Sequence, residues 1–270
     1  MLSLHTNAAS LNTQNLLSST QRALSSSMTK LGTGYRVNSA MDDAAGLQIA
    51  TRLQAQTRGM SVAQKNTQNG ISMLQTAEGA LSEVTNILMR MKDLATEGAN
   101  ATSSAEDIEA MQAEIDALNT ELASIQENTA FGGRKLFSGT ESLAAATQFQ
   151  IGATAGETMV MTGFSMPTNF SVSATLSTAN ADLIDTINDQ ITEIATTRSQ
   201  LGAFSNRLEH VYNNLSNMIQ NTTAATGRIM DVDYATESAN MTSKQMLMQA
   251  STSMLKQSSS MSSMVMSLLQ

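Results

Sequence analysis

The feature that most constrains this chain is a spacing. Leu74, Ala77, Leu81, Val84, Leu88, Met91 and Ala95 follow one another in alternating steps of three and four. That rhythm sets them on one stripe of a helix and predicts a heptad seam. Ile108, Met111, Ile115, Leu118, Leu122 and Ile125 repeat it. A third run follows Ile184, Ile187, Ile191, Ile194, Leu201, Phe204, Leu208, Val211, Leu215 and Met218, and continues through Ala225, Ile229 and Val232. About 50 residues rising ~1.5 Å each make a helix of roughly 75 Å, several times the usual globular length. We therefore expect a mainly α protein, an elongated antiparallel helical bundle or coiled coil formed by both chain ends, with a small β-hairpin region.

Composition agrees with long, evenly packed helices. Among 270 residues there are no Trp or Cys, one Pro and 20 Met, and aromatic residues make up 3%. Such a chain lacks the rings that wedge open a compact enzyme core and favours small and medium contact residues. Its formal charge of -8 argues against nucleic acid or an anionic membrane as partner. Without Cys there is no disulfide framework and no thiol nucleophile, and either redox compartment suits it. The opening MLSLHTNAASLNTQNLL has neither a basic flank nor an unbroken apolar core, and no run of about 18 apolar residues occurs. We expect no conventional cleavable leader and no membrane insertion.

Local punctuation divides the chain. Leu4, Ala8, Leu11, Leu17, Leu24, Met28 and Leu31 suggest a first amphipathic helix, stopped by the GTGY of residues 32–35. Ser39 with Asp42 resembles a capping box for the next helix, and Asp43 sits where a helix start attracts a carboxylate. Residues 96–104 break the second helix, and Ser104 with Asp107 offers another capping box, so helices 74–95 and 108–125 should form an antiparallel hairpin. Between Phe131 and about residue 178, closely spaced glycines and partial period-two alternation predict one or two β-hairpins. RIMDVDYATE, residues 228–237, predicts a jog before a last helix with Leu247, Met254, Met261, Val265 and Leu268 on a common face. Both ends thus read as amphipathic helices that pack on each other and, where their faces stay exposed, join copies of the chain.

Catalytic chemistry finds no foothold. His5 and His210 stand apart and lack the spacing of a metal pair. Asp42 with Asp43, and Asp231 with Asp233, could be acid pairs, yet neither has the unequal surroundings or extra oxygen ligands that such work needs. No Gly-x-Ser-x-Gly elbow or phosphate-cradling glycine pattern occurs; Arg134 and Lys135 read as the basic edge of a turn. Met218, Met230, Met241, Met246, Met248, Met254, Met261, Met264 and Met266 are spread along helices, which fits adaptable packing better than copper ligation. The expectation is a non-enzyme without cofactor or metal.

Particular segments resemble a known family. GYRVNSAMDDAAGLQIATRL (34–53), RGMSVAQKNTQNGISMLQTAEGALSEVTNILMRMKDLA (58–95), ENTAFGGRKLFSG (127–139), RSQLGAFSNRLEHVYNNLSN (198–217) and RIMDVDYATE (228–237) are similar, in this order, to bacterial flagellin. The resemblance covers nearly the whole chain, in a short form lacking large outer domains. It implies a terminal helical inner-core domain from residues 1–33 and 235–270, and a helical wall domain over 34–234 containing the β-rich 131–178 segment. It further implies a secreted, type III-exported structural protein that polymerises into the extracellular flagellar filament for motility. Implied partners are many copies of itself, the filament cap, the junction protein, an export chaperone and an innate immune receptor.

The same resemblance implies residue roles. Arg90, Leu94 and Glu114 match a receptor-contact pattern, and residues four apart share a helix face, so Arg90 and Leu94 should form one exposed patch. Arg36, Asp42, Asp43, Arg52 and Arg58 are candidate assembly or linker residues; Leu4, Leu11, Leu24, Leu31, Leu247, Met254, Met261, Val265 and Leu268 form the candidate terminal assembly seam. The ending LKQSSSMSSMVMSLLQ departs from the family's usual alanine- and asparagine-containing approach, which puts inner packing and chaperone recognition in question. Gly227 likewise stands before Arg228 where Ser is usual. Competing readings are a hook-filament junction protein, which shares terminal helices, and a coiled-coil adaptor, which would not require these motifs.

Overall fold

A computed structural model describes residues 7–100, 103–138, 143, 145, 147–161, 170–172, 176 and 181–268, with side chains omitted at 181, 262, 263 and 265–268. Among the described residues the elements are α1 (Ala8–Thr33), α2 (Ala44–Gly98), α3 (Ala105–Asn128), β1 (Ala130–Phe131), β2 (Arg134–Lys135), β3 (Thr147–Gln150), β4 (Thr158–Met161), α4 (Ala181–Met230) and α5 (Tyr234–Leu268). The mainly helical expectation holds, and the third seam lies on one uninterrupted helix of 50 residues as far as Ile229; Val232, expected to extend it, falls in the connector beyond α4. The chain divides into two compact units, Met1–Ala55 with Asn221–Gln270, and Gln56–Gln220.

The Gln56–Gln220 unit is built on the predicted seams. Every position from Leu74 to Ala95 in the first seam is buried, and Ile115, Leu122, Ile187, Ile194, Leu201 and Leu208 join them in one core. Glu78 faces Arg198 and the Gly70 backbone lies against Leu208, so α2 and α4 run antiparallel here. Arg90 pairs with Glu114 across the α2–α3 hairpin. The Ser104–Asp107 capping box forms as expected, each residue's side chain meeting the other's backbone N–H. Beyond Leu215 the seam passes to Ile219, which packs on Met60, Ala63 and Leu215, whereas the expected Met218 is exposed. A step of four in place of three is what keeps a 3.6-residue helix facing a fixed neighbour.

Two hairpins are present. β1 and β2 pair through Ala130↔Lys135 and Phe131↔Arg134, around Gly132 and Gly133 at φ 59° and 85°, the left-handed pair that a two-residue hairpin turn requires. β3 and β4 pair from Thr147↔Met161 to Gln150↔Thr158. This second hairpin lies on α2, where Gly59 admits Ala153, Asn66 Nδ2 donates to the Gln150 carbonyl at 3.5 Å, and Gly70 admits the Phe149 ring. Steps of seven and four place all three positions on one helix face.

TNFSVSATLS contributes no strand among its described residues. Phe170, Val172 and Leu176 are buried, yet their backbones bond to α3 side chains instead of to a sheet. Gln126 Oε1 accepts from the Phe170 N–H at 3.3 Å and Gln112 Oε1 from the Leu176 N–H at 2.7 Å. Between them Asn119 accepts from the Val172 N–H at 2.8 Å and donates to its carbonyl at 2.9 Å. Residues 112, 119 and 126 are one heptad apart. Buried amides thereby gain partners without a sheet.

The other unit has a different interior. α1 and α5 are antiparallel, because Asn7 Nδ2 donates to the Ser258 carbonyl at 3.2 Å while Lys244 Nζ donates to Ser27 Oγ at 2.6 Å. On α1 the covered positions are Ser10, Thr13, Leu17, Thr20, Leu24, Ser27 and Leu31, with Ala23 and Lys30 beside them. On α5 they are Glu237, Met241, Lys244, Met248, Ser251, Leu255 and Ser258. Both runs step by three and four, so a heptad seam is present, but six of its fourteen positions are Ser or Thr. Leu11 and Met28, expected in the α1 seam, are exposed, and so are Leu247, Met254 and Met261 of α5.

Candidate assembly surfaces

The connectors of the terminal unit meet. Asn7 starts α1 by accepting the Ser10 N–H at 3.1 Å on its side-chain oxygen. Gly34 ends that helix at φ 78° and returns its N–H to the Lys30 carbonyl, as expected of the GTGY stop. A Cβ at Gly34 would also come within 2.9 Å of the Tyr234 hydroxyl, so glycine is required there twice over. Tyr35 then bridges Asp231 in an antiparallel pair, with the Arg36 N–H donating to the Met230 carbonyl at 2.6 Å and the Val232 N–H to the Gly34 carbonyl at 3.0 Å. The chain's entry to α2 and its exit from α4 are thus stitched together. Arg36 Nη2 also donates to the Ile229 carbonyl at 2.7 Å, a cation at the negative end of α4. It serves within the chain.

The two acids divide the work differently from the expected capping box. Asp42 Oδ2 accepts the N–H groups of Ser39 at 3.0 Å and Asn38 at 3.1 Å, closing a turn that precedes the helix. Those donors hold its carboxyl below the ordinary aspartate value, the Ser39 N–H contributing most. Asp43 is the cap: its Oδ1 accepts the Gly46 N–H at 2.8 Å and its carbonyl the Leu47 N–H at 3.0 Å. Asp233 starts α5 likewise, bonded by the Thr236 hydroxyl at 2.6 Å and the Ala235 N–H at 3.0 Å. The Thr236 hydroxyl is the main reason its carboxyl is also held low. Each acid is consumed by a helix start.

Other residues singled out by the sequence fall in varied settings. Arg52 and Arg58 are exposed on α2, and neither joins the two ion pairs seen among the described residues. Arg90 and Glu114 form an exposed pair, with Nη2 and Nε at 2.8 and 2.9 Å from the same oxygen. Leu94 corrects the shared-patch expectation: it is 2% exposed and belongs to the core. A step of four from Arg90 reaches the α2 flank that the bundle covers. Leu24 is buried and Leu31 half-buried in the α1–α5 seam, while Leu11, Leu247, Met254 and Met261 face outward. Leu4 and His5 lie outside the described residues, as do the side chains of Val265 and Leu268. His210 is exposed, and among the described residues no group of three His, Cys, Asp or Glu could hold a metal. No described helix is long and apolar enough to cross a membrane.

The Gln112–Asn119–Gln126 ladder escaped the sequence reading. Its signal was a heptad of amide side chains beside an apolar one, legible only in the light of what lies against it.

The contrast between the units is the main property of the surface. Among the described residues of the terminal unit the buried apolar side chains are Leu24, Val37 and Ala50, whereas Leu11, Leu16, Met28, Met246, Leu247 and Met254 stay in solvent. Burial normally removes such groups from water at about 25 cal/mol per Å². Two helices that leave this much apolar surface uncovered present a face for other chains.

Comparison with known proteins bears on what those chains are. A family model for the bacterial flagellin N-terminal helical region matches residues 4–142, and one for the C-terminal helical region matches residues 184–269. A flagellin of Bacillus subtilis (strain 168) is 38% identical, over 97% of this chain and 98% of that one. A flagellin of Halalkalibacterium halodurans is 40% identical over 90% of each. Among solved structures, a putative flagellar hook-associated protein from Vibrio parahaemolyticus shares the fold, with a TM-score of 0.59 at 20% identity over 70% of this chain and all of that one. The family match spans the stitched connectors, the seams and both terminal helices, and the chain belongs to the bacterial flagellin family.

Proposed function

We infer that this protein is a structural subunit that polymerises into the bacterial flagellar filament for motility. One observation carries the reading: α1 and α5 pair through Ser, Thr and a few Leu while their larger apolar side chains stay exposed, in a unit that buries little else. Neighbouring copies bury what the single chain cannot. On this reading the contact between copies is heterologous, because heterologous contacts that do not close build an open helix.

Within that reading, residues 1–33 and 235–270 form the inner core of the filament and residues 34–234 its wall, the closed seams of the wall requiring no partner. Arg52 and Arg58 serve contacts between copies, while Arg36, Asp42 and Asp43 hold the joint. The chain is handed to export by a chaperone, is secreted, and works in the extracellular filament together with a cap and a junction protein. The exposed Arg90–Glu114 pair is the part of the receptor pattern open to an innate immune sensor; Leu94 supports it from beneath. Seeded elongation of the purified unassembled chain, followed by electron microscopy, tests the central reading. Long uniform tubes are expected; soluble oligomers that never lengthen would overturn it.

A further inference from the structure

The exposed methionines of α5 are not scattered. Among the described residues these are Met246, Met254, Met261 and Met264, which with Leu247 fall within about 100° of arc. This stripe is centred roughly 110° round the helix from the seam that covers α1. The first three are 60%, 64% and 52% exposed, while Met60 and Met91 of the wall unit are 1% and 0% exposed. The chain has no Cys or Trp, so thioethers are its most readily oxidised side chains; exposure separates them, and the exposed class also holds Met28, Met41, Met89 and Met218, which lie off this stripe.

We propose that the Met246–Met254–Met261 stripe is an oxidation site that switches off assembly of the free subunit and is protected once the subunit is in a filament. The reactant is a peroxide. The thioether sulfur attacks one peroxide oxygen, an S–O bond forms as the O–O bond breaks, and the departing hydroxide takes a proton and leaves as water. Sulfur loses two electrons and the peroxide gains them. A sulfoxide is polar, and an apolar interface between copies has no donor waiting for it. In the single chain the same oxygen points into water, so the subunit keeps its fold. The inference rests on the filament reading, which supplies the second copy that covers the stripe.

The test treats the full unassembled chain and, separately, preformed filaments with hydrogen peroxide, maps sulfoxides by peptide mass spectrometry, and measures seeded elongation. The readout is the ratio of elongation rates after and before treatment in each protein. We expect Met246, Met254 and Met261 to oxidise ahead of Met60 and Met91 in the subunit, and more slowly in the filament. Elongation should fall at least about tenfold and recover after treatment with the two methionine sulfoxide reductases. In the Met246→Leu, Met254→Leu, Met261→Leu variant the ratio should stay near one, whatever its starting rate. Subunits oxidised at all three positions that elongate undiminished would overturn the proposal, as would equal reactivity in the filament or a variant slowed as much as the parent. Failure of untreated parent chain to elongate would instead overturn the filament reading, and this inference with it.

Discussion

Removing the Asn119 side chain by Asn119→Ala tests whether the amide ladder holds the 170–176 segment. Asn119 makes two hydrogen bonds to Val172, at 2.8 and 2.9 Å, and Val172 is 1% exposed. The substitution leaves one buried N–H and one buried carbonyl without their partner. Each such loss costs about 1–3 kcal/mol, so ~2–6 kcal/mol is expected, toward the lower end if water enters the space that the side chain vacates. Gln112→Ala loses a single bond of 2.7 Å and Gln126→Ala a single, longer bond of 3.3 Å. The order of destabilisation should therefore be Asn119, then Gln112, then Gln126. Urea unfolding of the unassembled chain, followed by far-UV circular dichroism, gives the free energies, and hydrogen exchange at the Val172 and Leu176 amides reports the local effect. A cost for Asn119→Ala within about 0.5 kcal/mol of zero, or no greater than that for Gln126→Ala, would refute the ladder as a structural element.

Deleting residues 235–270 should abolish tube formation by electron microscopy yet leave a cooperative unfolding transition, because every member of the large core lies between Ile71 and Val211; tubes like those of the full chain would sink the terminal role. Leu94→Ala should cost about 2–5 kcal/mol as a core truncation, whereas Glu114→Gln should cost no more than about 1 kcal/mol because the pair is exposed; equal costs in urea unfolding would contradict the assigned burial. Asp42, Asp107 and Asp233 are all held below the ordinary aspartate value by hydrogen bonds to the ionised form. A lowered folded pKa stabilises above the unfolded value, so their contribution is complete above about pH 4 and is lost as pH falls through the lowered values. Replacing all three by Asn should flatten that acid limb of a circular-dichroism titration, and an unchanged limb would count against the caps.

What could be read from the sequence depended on how a contact is written chemically. The fully buried positions of the wall seams are apolar except Thr197, so periodicity reads them directly, from Leu74 to Ala95 and from Ile187 to Leu215. The Ser104–Asp107 cap and the Gly132–Gly133 turn are local, and their chemistry is complete within a few residues. The α1–α5 seam is also a heptad, but it passes through Ser10, Thr13, Thr20, Ser27, Ser251 and Ser258, which a search for apolar residues cannot see. The apolar pattern instead pointed to Leu11, Met28, Leu247 and Met254, the residues this contact leaves in solvent. Leu94 erred the other way, since its spacing from Arg90 names a shared flank and not how far the neighbouring helix covers it.

The sequence by itself determined which segments are helical, where most of them stop, and that apolar heptad seams join them. These follow from propensity, periodicity and capping, which act over a few turns of one helix. Tertiary structure decided which of two faces on each terminal helix is used inside the chain, that Tyr35 and Asp231 stitch the connectors, and that Asp43 rather than Asp42 caps α2. It also decided that Phe170, Val172 and Leu176 bond to an amide ladder in place of a sheet. Each depends on residues far apart in sequence, or on which of two nearby donors is left unsatisfied, and no single segment contains that information.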